Sequence, residues 1–396
     1  MRILHIVGSI NPSAGGPTEA IRMIVRYRPP GYEAEVATLD SPDAPFLGDF
    51  SFEVHALGTR SGSWYSPKLI PWLKANRDRF DGIVVHGLWE FTGLAALIAV
   101  AGKKPYLVFT HGMLDPYFKR RYPLKHLKKW GYWLLAQYWV LRSASRVMFT
   151  TEVERDLATK SFWLWHWHPM VVSYGADPQV PEIESLAPAF YEHCPELRTG
   201  ETGRRFLLYL SRIHPKKGCD LLLQAFAAVA PAHPELHLIM AGPDAMGLRS
   251  DLQKITDAAG LSDRVHWPGM LTGDAKWGAF AACEAFVLPS HQENFGIAVA
   301  EALACGRPVL ISDQINIATE IAADSCGLVE PDTVEGTTRL LKRWLALTPD
   351  ERDAMRRQAL ATFATRYDMR RNSALILRTF EQLRAPVPTP IATEAN

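Results

Sequence analysis

Along the chain, apolar runs of strand length alternate with stretches whose apolar residues recur every three or four positions. The runs are "RILHIVG", "EAEVATL", "GIVVHG", "PYLVFT" and "RVMFT" in the first half, then "RFLLYLS", "LHLIMAG", "RVHWPG", "AFVLPS", "RPVLIS" and "CGLVEP" in the second. Short continuous runs separated by helical periodicity read as parallel strands joined by crossover helices. The alternation falters between about 173 and 204, where "SYGADPQVPEIESLAPAF" and "CPELRTGETG" are rich in Pro, Gly and charge, and a domain boundary is placed there. The pattern therefore predicts an α/β chain with one doubly wound domain over residues 1–175 and a second over 200–365. A helix at 366–384 is expected to return toward the first domain. The stretch from about 348 to 384 reads as amphipathic helix, and residues 385–396 read as frayed. In such sheets ligands bind at the carboxyl ends of the strands, so a site is expected where the two domains face each other.

Composition narrows the class without changing this picture. The chain has 396 residues, 47% of them hydrophobic and 21% charged, which suits two ordinary globular domains. Forty-three basic and forty-two acidic side chains leave a formal charge of +1, so no global field draws the protein to nucleic acid and any charged partner must meet a local patch. The five cysteines form no Cys-x-x-Cys pair and read as buried thiols in a reducing cytoplasm. No run reaches the roughly eighteen apolar residues of a membrane span, and "MRILHIVGSI" is too short for a secretory signal. The expectation is a protein inside the cell, soluble or held at a surface.

The candidate chemistry is local. The run "AFVLPS" ends as a strand just before "HQENFGIAVAEALACGRPVL", in which "HQENFG" is a strand-to-helix loop and Gly296 opens a helix. Glu293 lies at the loop and Glu301 about one and a half turns into the helix, so both acids can face one ligand. The backbone N–H groups of Asn294, Phe295 and Gly296 sit at a helix N-terminus, which suits hydroxyls or phosphate oxygens, and a sugar on a diphosphate offers both. In "RFLLYLSRIHPKKG" a strand runs into a loop carrying Arg212, Lys216 and Lys217 before a helix from Gly218, so cations meet a second helix N-terminus. Gly15 and Gly16, in a loop before a helix placed from Glu19, let backbone approach a ligand closely. His111 and Gly112 stand at the carboxyl end of one buried strand and His86 at the end of another. His86 reads either as a structural histidine or as an acceptor contact. Asp115 reads either as an acceptor ligand or as a helix N-cap. No Asp-x-Asp occurs, and no His or Cys spacing suggests zinc, so no metal or other cofactor is expected.

The string "HQENFGIAVAEALACGRPVLIS" resembles the Glu-x7-Glu signature of retaining, nucleotide-sugar-dependent glycosyltransferases of family 4. These have the GT-B fold, two Rossmann-like parallel-sheet domains facing a central cleft. The likeness extends to "GSINPSAGGPTEAI", "VHGLWEFTGLAAL", "FTHGMLDPYFKRRYPLKHLKKW" and "LSRIHPKKGCDLLLQAF". It implies that Glu301 holds the ribose hydroxyls of a nucleotide, that Glu293 lies beside the transferred sugar, and that Arg212 and Lys217 meet the departing diphosphate. It further implies that His111 contacts the transferred sugar. Gly16 is expected to touch the diphosphate or the sugar. The activity so implied moves a sugar from a nucleoside diphosphate to an acceptor hydroxyl with retention. Rival readings are a sugar-nucleotide epimerase or hydrolase on the same fold, and a nucleotide-sugar binder without turnover. The base is not legible, because "HWPGMLT" and "AGPDAMG" would contact it through backbone.

Residues 117–142, "YFKRRYPLKHLKKWGYWLLAQYWVLR", carry Lys119, Arg120, Arg121, Lys125, Lys128 and Lys129 and then turn aromatic and aliphatic. Leu127, Trp130, Leu134 and Tyr138 recur at helical spacing. Either this stripe packs into the first domain and the lysines face water, or the segment rests on anionic lipid. Relatives with this resemblance build bacterial surface polysaccharides on lipid carriers. A saccharide or lipid-linked acceptor and peripheral attachment to the inner face of the cytoplasmic membrane are therefore expected.

Overall fold

The computed structural model describes residues 1–12, 15–59, 64–178, 185–198 and 204–384. The expectation of a frayed tail at 385–396, and parts of the boundary segment between 173 and 204, lie outside these residues. Every apolar run quoted above contains a strand. In the first unit, Met1–Phe149, Arg155–Val172 and 370–384, the strands are β1 (Arg2–Val7), β2 (Glu33–Thr38), β3 (Glu53–Ala56), β4 (Gly82–His86), β5 (Tyr106–Phe109), β6 (Arg146–Phe149) and β7 (Pro169–Val171). They form one parallel sheet in the order β3-β2-β1-β4-β5-β6-β7. The pattern alone missed β3 and β7. Both are edge strands whose residues are exposed or half-buried, so neither leaves a continuous apolar run, and β7 opens on Pro169.

The second unit, Thr150–Glu154 and Ser173–Met369, holds β8 (Phe206–Leu210), β9 (His237–Ala241), β10 (Val265–Gly269), β11 (Ala285–Leu288), β12 (Val309–Ser312) and β13 (Gly327–Glu330). Their order is β10-β9-β8-β11-β12-β13, again parallel. The central strands of both sheets are wholly buried, as sheets with helices on both faces require. Each order reverses direction once, between β1 and β4 in the first unit and between β8 and β11 in the second. The crevice at such a switch point, outside the carboxyl ends of the strands, is where open α/β sheets bind ligands. All five cysteines are buried, and burial pushes the thiols of Cys194 and Cys283 up to about 12.

The expected helix at 348–384 is two helices. Pro349–Thr362 passes into a π-helical turn at Phe363–Tyr367, and Met369–Arg384 follows after an extended Asp368. The break has a local cause. A Cβ on Gly175 would sit 2.0 Å from the Tyr367 carbonyl oxygen, which accepts from the Ala176 amide at 3.1 Å and is thereby withdrawn from the helical ladder. The last helix then packs in the first unit. Ser373 donates to the Ile24 carbonyl at 2.8 Å, and the Phe380 ring fills the space left by the missing side chain of Gly82 at the start of β4.

Candidate active site

In the second unit the loops after β8 and β11 flank the switch point and are stitched together. Gly218 has φ 64°, and a Cβ there would lie 2.1 Å from the Pro289 carbonyl oxygen, so only glycine fits. The His291 amide donates to the Lys216 carbonyl at 2.9 Å, and the Lys216 amide donates to His214 Nδ1 at 3.0 Å. The tight turn Pro215–Lys217 directs Lys217 inward, where it is 8% exposed and hydrogen-bonded to Glu293. Arg212 stays exposed, and its guanidinium has no protein partner among the described residues.

Glu293 is held by its own backbone. Its amide donates to the Gln314 carbonyl at 3.2 Å and its carbonyl accepts from the Asn316 amide at 3.1 Å. Gly296, at φ 78°, then starts the helix Ile297–Ala304. The backbone amides from Asn294 to Ala298 meet no acceptor among the described residues, leaving a row of donors where the helix dipole favours negative charge. The side chains of this loop serve the scaffold. Asn294 donates to Thr150 Oγ1 at 3.1 Å and accepts from Asn316 at 3.3 Å, while Phe295 is 4% exposed and packs edge-on against Tyr174 and Tyr367. Only the main chain of Asn294 and Phe295 is thus offered to a ligand. Glu301 pairs with Lys276 at 2.8 Å, on the helix Gly273–Ala282, a lysine the sequence reading passed over because it lies in no recognisable motif.

The first unit is furnished differently. His86 is 1% exposed, and both ring nitrogens are occupied, by His5 Nδ1 at 2.9 Å and His111 Nε2 at 3.2 Å. A side chain so enclosed cannot meet an acceptor, which corrects that reading of His86. His111 sits at the rim with φ 49°, followed by Gly112 at φ 72°. Burial holds His5 down to about 4, His111 down to about 3 and His86 well below its usual range, so all three rings are neutral at physiological pH. His5, hidden inside an apolar strand, gave no signal in the sequence. Asp115 Oδ1 accepts from the Tyr117 amide at 2.7 Å, so of its two readings the structure shows the N-cap, on the helix Pro116–Arg121.

At the first unit's switch point, Glu90 presses its carboxyl group against Gly8, and a Cβ on Gly8 would lie 2.3 Å from Glu90 Oε2. Desolvation pushes this carboxyl up to about 7, against hydrogen bonds from Thr92 and the Gly8 backbone. The helix after β1 begins at Gly16, three residues before the expected Glu19, with Gly15 at φ 87° as its cap and Pro17 in its first turn. Where a Cβ on Gly15 or Gly16 would stand, no described atom lies within 4 Å. Among the described residues one trio of potential metal ligands, Glu35, Glu53 and His55, lies on β2 and β3. Glu35 is already engaged there by His55 at 2.7 Å and Arg79 at 3.1 Å.

Two family models match this chain, one on each unit. "Glycosyl transferase 4-like domain" covers residues 15–175 and "Glycosyl transferases group 1" covers residues 198–362. The chain belongs to the family 4 type of glycosyltransferases. It is 26% identical to a GDP-mannose:cellobiosyl-diphosphopolyprenol alpha-mannosyltransferase of Xanthomonas campestris across 100% of both chains. It is 25% identical to an alpha-D-kanosaminyltransferase of Streptomyces kanamyceticus over 78% of this chain and 80% of that one. Anabaena HepE in complex with UDP superposes with a TM-score of 0.77 at 18% identity, covering 96% of this chain and 100% of that one. A sucrose-phosphate synthase from Thermosynechococcus elongatus superposes with a TM-score of 0.76 at 17% identity, covering 97% and 99%. The fold is GT-B, and the activity is transfer of sugar from a nucleotide-sugar donor.

The basic and aromatic segment of this glycosyltransferase departs from the helical stripe expected of it. Helix Pro123–Tyr132 passes into a π-helical turn at Trp133–Gln137 before Tyr138–Ser143. The buried face carries Trp133, Ala136, Gln137, Tyr138, Val140 and Leu141, with Trp130 packed against the same core, so Trp130 and Tyr138 of the expected stripe turn inward. Leu124, Leu127, Leu134 and Leu135 are left 78%, 68%, 49% and 83% exposed. The neighbouring loop Trp163-Leu164-Trp165, which the sequence reading did not single out, is also exposed, with Trp163 5.3 Å from Trp130 and the Leu164 carbonyl accepting from Trp133 Nε1. No helix among the described residues is long and apolar enough to cross a membrane.

Proposed function

We propose that this glycosyltransferase acts with retention, moving a hexose from its nucleoside diphosphate to a hydroxyl of a saccharide carried on a polyprenyl diphosphate. The observation that carries the transfer chemistry is the Lys217–Glu293 pair set beside the row of open amides at residues 294–298. A diphosphate placed on those amides exchanges the carboxylate partner of Lys217 for a phosphate oxygen, and Arg212 adds a second positive charge. As the glycosyl–phosphate bond breaks, its electron pair goes to the leaving phosphate, where these donors stabilise the new charge. The acceptor hydroxyl attacks on the face the diphosphate leaves and passes its proton to a phosphate oxygen. Glu301, oriented by Lys276, receives the ribose hydroxyls. Glu293 and His111 line the transferred sugar, and Gly15 and Gly16 give room to the diphosphate. No metal or other cofactor is assigned a part.

The acceptor follows from two independent supports. The Xanthomonas relative carries a diphosphopolyprenol acceptor in its name. Exposed leucines and tryptophans beside Lys119, Arg120, Arg121, Lys125 and Lys128 suit the headgroup layer of an anionic membrane, where such a carrier is held. The enzyme would then work as a peripheral protein at the inner face of the cytoplasmic membrane. Incubating the protein with a panel of UDP- and GDP-sugars and a short-chain polyprenyl-diphosphate saccharide, with and without chelator, tests this. Product with the donor's anomeric configuration is expected in both arms. Sugar release without acceptor would favour the hydrolase or epimerase reading, binding without turnover the silent binder, and loss of activity with chelator would overturn the metal-free scheme.

A further inference from the structure

The three histidines of the first unit form a hydrogen-bonded row running from the interior to the rim. His5 Nδ1 lies 2.9 Å from His86 Nε2, and His86 Nδ1 lies 3.2 Å from His111 Nε2. The rings are stacked at centroid separations of 5.2 and 5.4 Å. Each neutral imidazole carries one N–H, and His86 can donate only once, so both hydrogen bonds exist together in two proton patterns alone. In one, every ring is protonated on Nδ1 and the bonds point outward from His5. In the other, every ring is protonated on Nε2 and the bonds point inward, ending in a proton on His5 Nε2.

The buried end decides between them. His5 is 0% exposed and its Nε2 has no partner among the described residues. The inward pattern would leave an N–H unsatisfied in that apolar place, whereas the outward one leaves a bare lone pair. Orphaned buried donors are the rarer and costlier of the two. We propose that His5 and His86 are positioning residues that fix the proton of His111 on Nδ1, presenting it as a neutral hydrogen-bond donor. Which ring nitrogen carries the proton is set by the bond the other makes, and here His111 Nε2 is the acceptor of His86. Burial keeps all three rings neutral, which is the condition for counting one N–H on each.

For catalysis this rests on His111 meeting the transferred sugar. His111 would then give a hydrogen bond to a sugar oxygen and could not serve as a base. A free neutral histidine side chain favours the Nε2–H form, so the row imposes the less common tautomer, and that is measurable without substrate.

The test is the ring nitrogen spectrum of histidine-labelled full-length enzyme at neutral pH, with His111 assigned from the loss of its signals in His111→Gln. The expected result is Nδ1–H for His111 in the wild type and a reversal toward Nε2–H in His86→Phe. If that variant does not fold, His5→Leu and His5→Gln take its place. The amide of glutamine can still donate to His86 and keep Nδ1–H, whereas leucine cannot and should give a mixture. A wild-type His111 in the Nε2–H form, or Nδ1–H retained in His86→Phe or undiminished in His5→Leu, overturns the proposal. Whether His111 touches sugar is read separately, from the kcat of His111→Gln, so the two ideas fail independently.

Discussion

The carboxyl ends of the two sheets are built from opposite materials. In the second unit the loops after β8 and β11 bring together Lys217 with Glu293, and nearby Glu301 with Lys276, beside a row of open amides. In the first unit the corresponding strands end in a row of neutral histidines, with Glu90 also pushed toward its uncharged form. One mouth keeps its charges, two acids paired with lysines and Arg212 exposed, and the other suppresses charge by burial. That contrast makes the two regions respond differently to mutation, pH and salt.

The largest effects belong to the charged mouth. Lys217→Ala and Glu293→Gln should each lower kcat by about 10²–10³, the scale of losing one charge-stabilising contact. Nucleotide affinity should change much less in Glu293→Gln. Steady-state kinetics with calorimetry of the free nucleoside diphosphate checks this, and full activity in both variants would remove the pair from the mechanism. Next comes Glu301→Gln, which should weaken nucleoside diphosphate binding by roughly tenfold or more, about 1.5–3 kcal/mol for a hydrogen bond to a charged group. Lys276→Met should repeat part of that loss, and the double variant should cost less than the sum of the singles, because Lys276 acts through Glu301. Strict additivity by calorimetry would show that Lys276 has no such role.

These two regions were also unequally legible from the sequence. Arg212 and Lys217 lie within one short stretch and Glu293 and Glu301 within another, so spacing placed the members of each pair together, and the family resemblance joined the two stretches, which are 76 residues apart. His5, His86 and His111 come from three strands separated by long crossovers, and nothing in "RILHIVG" distinguishes His5 from an ordinary strand residue. Tertiary pairing created the row. The same holds for Lys276, which meets Glu301 across two helices, and for the outward turn of Leu124 and Leu135, because which face of 123–143 is buried depends on what the first unit packs against it. The doubly wound sheets were readable because buried parallel strands leave continuous apolar runs, and the edges β3 and β7, which are not buried, left none.

The uncharged mouth should show itself in pH dependence. Burial lowers the folded-state values of His5 to about 4 and of His111 to about 3, while in the unfolded chain each takes its proton near 6.5. Below that point the unfolded state binds more protons, so the stability present above pH 6.5 is lost as pH falls toward 4. The slope approaches about 1.4 kcal/mol per pH unit for each such histidine. Chemical denaturation of the wild type and of His5→Leu between pH 7 and 4.5 should show the shallower slope in the variant. Equal slopes would mean that His5 is not held neutral by its surroundings.

The smallest effects concern the basic segment on the outside of the first unit. Near Leu124, Leu127 and Leu135, the cations Lys125 and Lys128 face solvent, and a cation near an anionic surface contributes about 1 kcal/mol, roughly fivefold in affinity. Binding to liposomes containing anionic lipid is therefore expected at low salt and should weaken steadily as salt rises. Lys125→Glu should lower the partition coefficient somewhat more than fivefold, because it both removes a cation and adds an anion. Leu135→Glu should also lower it, through lost apolar contact, while leaving the melting temperature unchanged, since that side chain contributes little to the core. Trp163→Ser probes the adjoining loop in the same way. Co-sedimentation with anionic and neutral vesicles across a salt series separates the contributions. Lysine variants should matter only on anionic vesicles, and leucine and tryptophan variants on both. Absence of binding to anionic vesicles at low salt would show that this face meets something other than lipid.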